Sequence, residues 1–234
     1  MARTQGLNIT FAQCNDAAQA QSWSDWYDDI HLPDIMSTGA FWKATRWEVL
    51  NTHLGAFPNS GFTHLNIGEI EGPDIEVNLG KVIAMAPDFR AQGRVHPNHV
   101  VVDMMAMQAI GRWSEKPAPS EETRGLFMVF SKCNVPENLE AWNEWFDAVH
   151  VPDMMETGGF HAATRWERLV PDTHRPNHLI IYEIQIDDLE QSVRNILERI
   201  PDLKARGRIR PDHSGALRFI AKPAGKYGAS GYPR

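Results

Sequence analysis

The order of apolar and polar positions predicts the same succession of elements twice along the chain. Strands are expected where apolar and polar residues alternate, and helices where apolar residues recur every three or four positions. In the first half this pattern predicts strands at residues 7–14, 41–50, 62–70 and 100–110, with helices at 18–37 and 74–85. In the second half it predicts strands at 126–133, 160–169, 178–184 and 215–221, with helices at 138–155 and 189–200. Each half therefore has the order β-α-β-β-α-β.

The first predicted helix carries a proline in its last third. Pro33 lacks the amide donor that a helix interior needs, so the spacing predicts a kink or break just after His31. Gly39 follows as a residue that adopts the left-handed conformation at a helix end. A histidine at a helix break is thus expected near the end of this segment.

The two halves are copies of one sequence. Residues 26–48 and 145–167, which lie 119 positions apart, are identical at 14 of 23 positions. Farther along the chain, the same kind of match continues with an offset of 114 residues. The correspondence runs from about residue 8 to 110 and from about 126 to 220. We conclude that the chain arose by duplication of one unit.

The repeated order predicts an α+β fold made of two tandem ferredoxin-like repeats. Both helices of such a repeat lie on one face of its antiparallel sheet, so the other face needs a cover. We expect the two sheets to meet as one pseudo-dimeric α/β barrel; two independent domains are the alternative. The expected divisions are a first repeat at 1–113, a polar, proline-containing linker at 114–124, a second repeat at 125–221 and an extended tail at 222–234.

Composition and charge narrow the class of partner. The chain has 234 residues and a formal net charge of −7, which argues against a nucleic-acid backbone as ligand. No apolar run approaches the length that spans a bilayer, and the first ten residues lack the apolar core of a signal peptide. Two cysteines are too few for a disulfide scaffold. These features predict a cytoplasmic protein that binds neither nucleic acid nor membrane.

A motif common to both copies resembles a known group of small proteins. It reads W-[YF]-D-x-x-H-x-P-D-x-M-x-T-G, followed by a strand that bears A-T-R-W-E. Both segments resemble the EthD-like branch of the dimeric α/β-barrel superfamily, over nearly the whole chain. That superfamily contains cyclases, isomerases, monooxygenases and haem-degrading enzymes, so the resemblance implies a fold more firmly than a reaction. It also implies a pocket in each half, between the helices and the sheet, for a small and often aromatic compound.

Two histidines are the first candidates for catalysis. His31 and His150 occupy matching positions, and imidazole titrates near neutral pH, so each could take or give a proton. Asp34 and Asp153 lie three residues farther on, and we expect each carboxylate to orient the ring before it. The alternative is a structural histidine that bonds the chain where proline breaks the helix.

Further side chains are candidates for contacts with the substrate. Arginines on the second strand could hold a carboxylate or phenolate, or could pair across strands. Aromatic residues one turn before the histidines could pack in the core or line the pocket, and His161 replaces Trp42 in the second copy only. A third histidine pair, His99 and His213, is interpreted as part of a turn. The predicted substrate-binding residues are Trp26, Tyr27, Arg46, His64, Trp145, Phe146, His161, Arg165 and His178.

These residues favour a cofactor-independent enzyme that acts on a small hydrophobic, aromatic compound. Its reaction would be an elimination, isomerisation or cyclisation with histidine as general acid or base. The sequence shows no fingerprint for a nucleotide, flavin or PLP, and without a compact H-x-E-x-H or C-x-x-C pattern its signal for a metal is weak. A cofactor-free or haem-dependent monooxygenase and a non-catalytic binding protein are the alternatives, and a homodimer of the fused pseudo-dimer is left open.

Overall fold

A computed structural model describes residues 4–50, 61–115 and 122–232. The chain divides into two compact units. The first comprises Met1–Val49, Asn59–Gln108 and Lys222–Arg234, and the second comprises Leu50–Pro58 and Ala109–Ala221. Part of the predicted linker, residues 116–121, lies outside the described residues. The expected pairing of the two sheets into one barrel stays a prediction.

The first unit has the predicted element order. Its strands are β1 (Thr4–Cys14), β2 (Lys43–Val49), β3 (His64–Glu71) and β4 (His99–Ala109), and its helices are α1 (Ala20–Trp26), α2 (Leu32–Ser37) and α3 (Ile75–Ala91). All strands are antiparallel, in the order β4-β1-β3-β2. The α3 helix continues past Pro87, where the sequence pattern had predicted an earlier end.

The second unit repeats this arrangement. Its strands are β5 (Gly125–Cys133), β6 (Phe160–Arg168), β7 (His178–Ile184) and β8 (His213–Pro223), and its helices are α4 (Leu139–Trp145), α5 (Val151–Met155) and α6 (Leu189–Ala205). The antiparallel strand order is β8-β5-β7-β6. The predicted α+β architecture is confirmed in both units.

A π-helical turn stands where a kink after His31 was predicted. It spans Tyr27–His31 between α1 and α2, and Phe146–His150 is its counterpart between α4 and α5. Pro33 follows at the start of α2, and the backbone stays right-handed helical at His31 and Leu32, so the helix does not break there. Such turns widen a helix locally and are frequent at functional sites.

The two faces of each sheet differ. In the first unit, Arg46 of β2 hydrogen-bonds the Ser24 carbonyl oxygen of α1, and a Cβ on Gly6 of β1 would lie within 3 Å of the Ile75 side chain in α3. Both helices therefore cover the same face. Leu7, Ile9 and other apolar residues of the opposite face are fully buried.

The two long helices pack differently against their sheets. In α6, Val193, Ile196 and Leu203 are buried in the second unit's core. In α3, only Ile75 is buried, while Val77 and Ile83 are about two thirds exposed. The duplicated units thus have dissimilar helix–sheet layers.

The segment that follows β8 packs on the first unit. The Ala224 amide donates to the Arg46 carbonyl oxygen, and the Tyr232 amide donates to that of Ala44. These two bonds join the ends of the described tail to β2, and residues 226–230 between them form a turn, so the expected extended conformation does not hold there.

Candidate functional site

The π-helical turns place His31 and His150 inside aromatic clusters. In the first unit, the His31 ring lies 4.8 Å from the Trp26 ring, 4.7 Å from Tyr27 and 5.3 Å from His99. These distances join ring centroids, so the imidazole is in contact with all three side chains. The alternative of a structural histidine at this place stays open, since ring contacts fit either role.

The second unit repeats the cluster with one change. The His150 ring lies 5.0 Å from Trp145, 4.6 Å from Phe146 and 5.1 Å from His213. Phe146 stands where the first unit has Tyr27. His213, like His99 in the first unit, was interpreted as turn chemistry; this was wrong, because its ring belongs to the cluster.

Burial keeps these imidazoles neutral. It is the main reason that the pKa of His31 falls to about 3, with smaller contributions from His99 and Arg46. The pKa of His150 also falls to about 3, through burial and then through His213 and Arg165. Burial likewise lowers the pKa of His213 to about 4. The expected titration near neutral pH is therefore corrected: at pH 7 each ring is uncharged and can donate one hydrogen bond and accept another.

The predicted carboxylate partners bind arginines instead of the histidines. Both Asp34 oxygens accept hydrogen bonds from Arg94, at 2.6 and 2.7 Å. Both Asp153 oxygens accept from Arg208 at the same distances. The bidentate geometry fixes each arginine at the end of the long helix of its unit. Asp34 and Asp153 thus join two helices, and the expectation that they orient the imidazoles is corrected.

The two strand arginines are held in ion pairs beneath the first helix. Arg46 is 1% exposed and lies 3.1 Å from the Asp28 carboxylate, with its guanidinium 4.5 Å from the Tyr27 ring centre. Arg165 lies 2.6 Å from Asp147. Burial lowers the pKa of Arg165, and the Asp147 carboxylate opposes that shift. These arginines support the π-helical turns, so their partners lie on the helical segment and not across strands, as the sequence had led us to expect.

The remaining predicted residues lie around the clusters. His64 contacts Trp23 at 4.9 Å between ring centres, and His178 contacts Trp142 at 4.8 Å. Trp26 and Trp145 donate their indole N–H groups to the carbonyl oxygens of the arginines that bind Asp34 and Asp153. His161 lies 3.3 Å from Thr123 and 3.5 Å from Glu183, in a separate polar group.

A cavity of about 270 Å³ lies in the second unit, between α5, α6 and the sheet. The predicted residues His150 and Asp153 line it, and so does His213. Its apolar walls include Phe127, Val129, Met154, Ile196, Ile200 and Leu203. An apolar cavity of roughly 150 Å³ holds benzene, so this one has room for one or two fused rings.

Polar groups without partners lie in the cavity wall. Among the described residues, the Tyr182 hydroxyl, the Arg218 Nε and the His213 Nδ1 are buried and form no hydrogen bond. The corresponding His99 Nδ1 of the first unit accepts a bond of 3.2 Å from the Trp23 indole. Burial raises the pKa of Tyr182 far above its usual range, so its hydroxyl is a donor at neutral pH. Such orphaned polar groups are rare in folded proteins, and each calls for an explanation.

The cavity residues Tyr182 and Arg218 were missed by sequence reasoning. They correspond to Gly68 and Met104 in the first copy, and Phe127 corresponds to Asn8. A search for matched positions overlooks these residues, since they are where the copies diverge. The difference between the two copies at these strand positions, on the face toward the helices, was the sequence signal that could have revealed them.

The described part of the chain contains no cluster of side chains that could bind a metal ion. No group of three or more His, Cys, Asp or Glu side chains there is placed to hold an ion. Within the same residues, no helix combines the length and apolarity required to cross a membrane.

No family model and no curated protein sequence matches this chain. Solved structures do resemble it. An anthrone oxidase-like protein superposes with a TM-score of 0.56 at 12% identity, over 96% of this chain and 94% of that one. A variant of DypB from Rhodococcus jostii RHA1, solved in complex with haem, superposes with a TM-score of 0.54 at 12% identity, over 95% of this chain and 94% of that one. A chlorite dismutase mutant from Candidatus Nitrospira defluvii superposes with a TM-score of 0.51 at 10% identity, over 95% of this chain and 93% of that one. These likenesses show that the chain shares the fold of those proteins, and they do not single out the EthD-like branch.

Proposed function

We propose that the chain is a small-molecule enzyme whose reaction takes place in the cavity of the second unit. The observation that carries this proposal is a cavity of about 270 Å³ lined by two partly buried imidazoles, His150 and His213. Apolar pockets with a few convergent polar groups and perturbed pKa values are the usual setting of an active site. Among the described residues, the first unit has no matching set of orphaned tyrosine and arginine donors.

The size and lining of the cavity favour an aromatic substrate. Phe127 and Tyr182 stack with their ring centres 6.1 Å apart, and both face the cavity. A flat ring would pack between this wall and Ile196 of α6. A substrate of one or two rings fills the volume, whereas a long chain does not.

Proton transfer next to a carbonyl is the reaction that the groups best support. A ring nitrogen of His150 would accept a proton from the substrate carbon, and the electron pair of the broken C–H bond would move onto the carbonyl oxygen. The resulting oxyanion stabilises the imidazolium beside it, and this attraction offsets the low pKa of His150. Return of the same proton to another carbon completes an isomerisation without any other reactant. Tyr182 lines the cavity, and its hydroxyl would donate to the oxyanion.

Oxygenation without a cofactor is the second candidate, because one fold neighbour is described as anthrone oxidase-like. Dioxygen would oxidise a ring CH2 group of the substrate anion to a carbonyl, and the second oxygen atom would leave as water. The first step, removal of a proton by His150, is common to both candidates. Uptake of dioxygen separates them.

The cavity of the second unit is too small for haem at the volume that the structure shows. The volume of about 270 Å³ lies below the ~300 Å³ at which pockets for drug-sized ligands begin, and a tetrapyrrole is larger than such ligands. We therefore derive no step through haem.

Deuterium exchange into an enolisable two-ring ketone tests the proposal. The purified chain is incubated with 1-indanone in D2O, and exchange at the carbon next to the carbonyl is followed by NMR, with oxygen uptake recorded in parallel. We expect exchange faster than in buffer, and loss of at least tenfold of that rate in His150→Asn and His213→Asn. His174→Asn, at an exposed loop position, is the matched control. Unchanged exchange in both cavity variants would contradict the enzyme assignment, and binding of the ketone without exchange would favour a binding protein.

A further inference from the structure

The cavity of the second unit contains more positive charge than its own carboxylate neutralises. Lys204, Arg208 and Arg218 line it, against a single acidic side chain, Asp153. Both oxygens of Asp153 are already occupied by Arg208. Arg218 and Lys204 therefore leave an excess of positive charge at the wall, which favours a ligand that carries negative charge.

Two residues that line the cavity carry hydrogen-bond donors without a partner among the described residues. The Tyr182 side chain is 1% exposed, and its hydroxyl has no partner among the described residues. The Arg218 Nε is in the same state. A buried donor without a partner lowers stability, so a ligand oxygen that accepts from either would regain part of that loss. The arrangement selects a ligand with an oxygen acceptor.

The apolar walls limit the rest of the ligand. Phe127, Ile196 and Leu203 also line the cavity. An inorganic anion would leave this surface uncovered, and a neutral hydrocarbon would leave the two donors unpaired. A ring that carries a charged oxygen satisfies both parts of the wall.

We propose that this cavity binds a one- or two-ring aromatic compound carrying an ionised oxygen, and that Tyr182 and Arg218 hold that oxygen. The inference rests on the proposed function in that it names the substrate class for the same site. A carboxylate and a phenolate share this chemistry, and the test below separates them. The first unit lacks both groups, since Gly68 and Met104 stand at the matching positions.

Calorimetric titration with three probes tests the assignment. Benzoate and 4-nitrophenolate at pH 8 carry the ionised oxygen in its two forms, and benzyl alcohol is a neutral compound of similar size. We expect at least one of the anions to bind about tenfold or more tightly than benzyl alcohol. The anion that binds better identifies the form of oxygen that the site prefers.

Substitutions at the two donors locate the binding. We expect Tyr182→Phe and Arg218→Met each to weaken binding of the preferred anion about 10- to 100-fold, since charge-assisted hydrogen bonds contribute about 1.5–3 kcal/mol. Tyr227→Phe, in the C-terminal segment, and Arg206→Met, paired with Asp202 on the exposed face of α6, are the matched controls. Both should bind like the unsubstituted chain, and unfolding curves establish that every variant is folded.

Two results would overturn the inference without touching the proposed function. One is equal binding of benzyl alcohol and both anions, and the other is anion binding that persists unchanged in both donor variants. Conversely, anion binding that depends on Tyr182, in a chain that catalyses no proton exchange, would sustain this inference and remove the enzyme assignment.

Discussion

A glycine in the C-terminal segment supports the buried ion pair of the first unit. Gly225 has φ +65°, and its neighbour Lys226 donates its backbone N–H to the Asp28 carboxylate at 2.8 Å. A Cβ on Gly225 would lie 2.8 Å from the Asp28 Cγ and still closer to both carboxylate oxygens. Gly225→Ala should therefore push Asp28 away from Arg46.

The expected loss of stability has two parts. Alanine in the left-handed region costs roughly 1–2 kcal/mol. Breaking a buried ion pair costs about 3–5 kcal/mol, and Arg46 and Asp28 are 1% and 6% exposed. Gly93→Ala isolates the first part, because Gly93 has φ +66° and nothing within 4 Å of its added Cβ. We expect the Gly225 variant to lose several kcal/mol more than the Gly93 variant.

Urea unfolding at pH 7.5, followed by circular dichroism, measures both variants. The comparison requires similar denaturant slopes, so that the midpoints report stability. Gly111 repeats the arrangement against Asp147 in the second unit, and Gly111→Ala should be less costly because Asp147 is 19% exposed. Equal losses in Gly225→Ala and Gly93→Ala would refute the role assigned to the C-terminal segment.

Other predictions follow from burial and pairing. Arg46→Met should cost about 3–5 kcal/mol in urea unfolding, whereas Arg124→Met, which breaks an exposed pair with Asp187, should cost under about 1 kcal/mol; similar losses would contradict the importance of burial. The free energy of unfolding should fall as the pH is lowered from 6.5 to 5. The reason is that the unfolded chain binds protons to His31 and His150, whereas in the folded state both rings have a pKa of about 3 and stay neutral. A free energy that does not change over this range would show that these rings also bind protons when folded. Ile196→Ala should enlarge the cavity, lower stability by about 2–4 kcal/mol and permit binding of a compound with one more ring, as measured by calorimetry; destabilisation without a change in ligand size would place Ile196 away from the bound ring.

Local pattern predicted the elements of this fold well because strands and helices depend on nearby residues. The β7 strand has the predicted bounds, His178–Ile184. The ends of α3 and α6 were misplaced, since both helices continue through a proline near their last turn. A proline there removes a single hydrogen bond, and tertiary packing can offset that loss.

The site was harder to predict, because its contacts join distant parts of the chain. His150 was identified from its repeated motif, but its neighbour His213 lies 63 residues away and looked like part of a turn. Asp153 lies three residues from His150 yet bonds Arg208, which no local spacing reveals. Tyr182 escaped notice because the first copy has glycine there.

The central claim is that the cavity of the second unit is a ligand site lined by neutral imidazoles. A crystal structure of the chain grown with benzoate or 4-nitrophenolate tests it most directly. The account predicts electron density for the ring against Phe127 and Ile196, with its oxygen within hydrogen-bond distance of the Tyr182 hydroxyl and the Arg218 Nε. A cavity without this density at saturating ligand, or a ligand bound elsewhere, would contradict it.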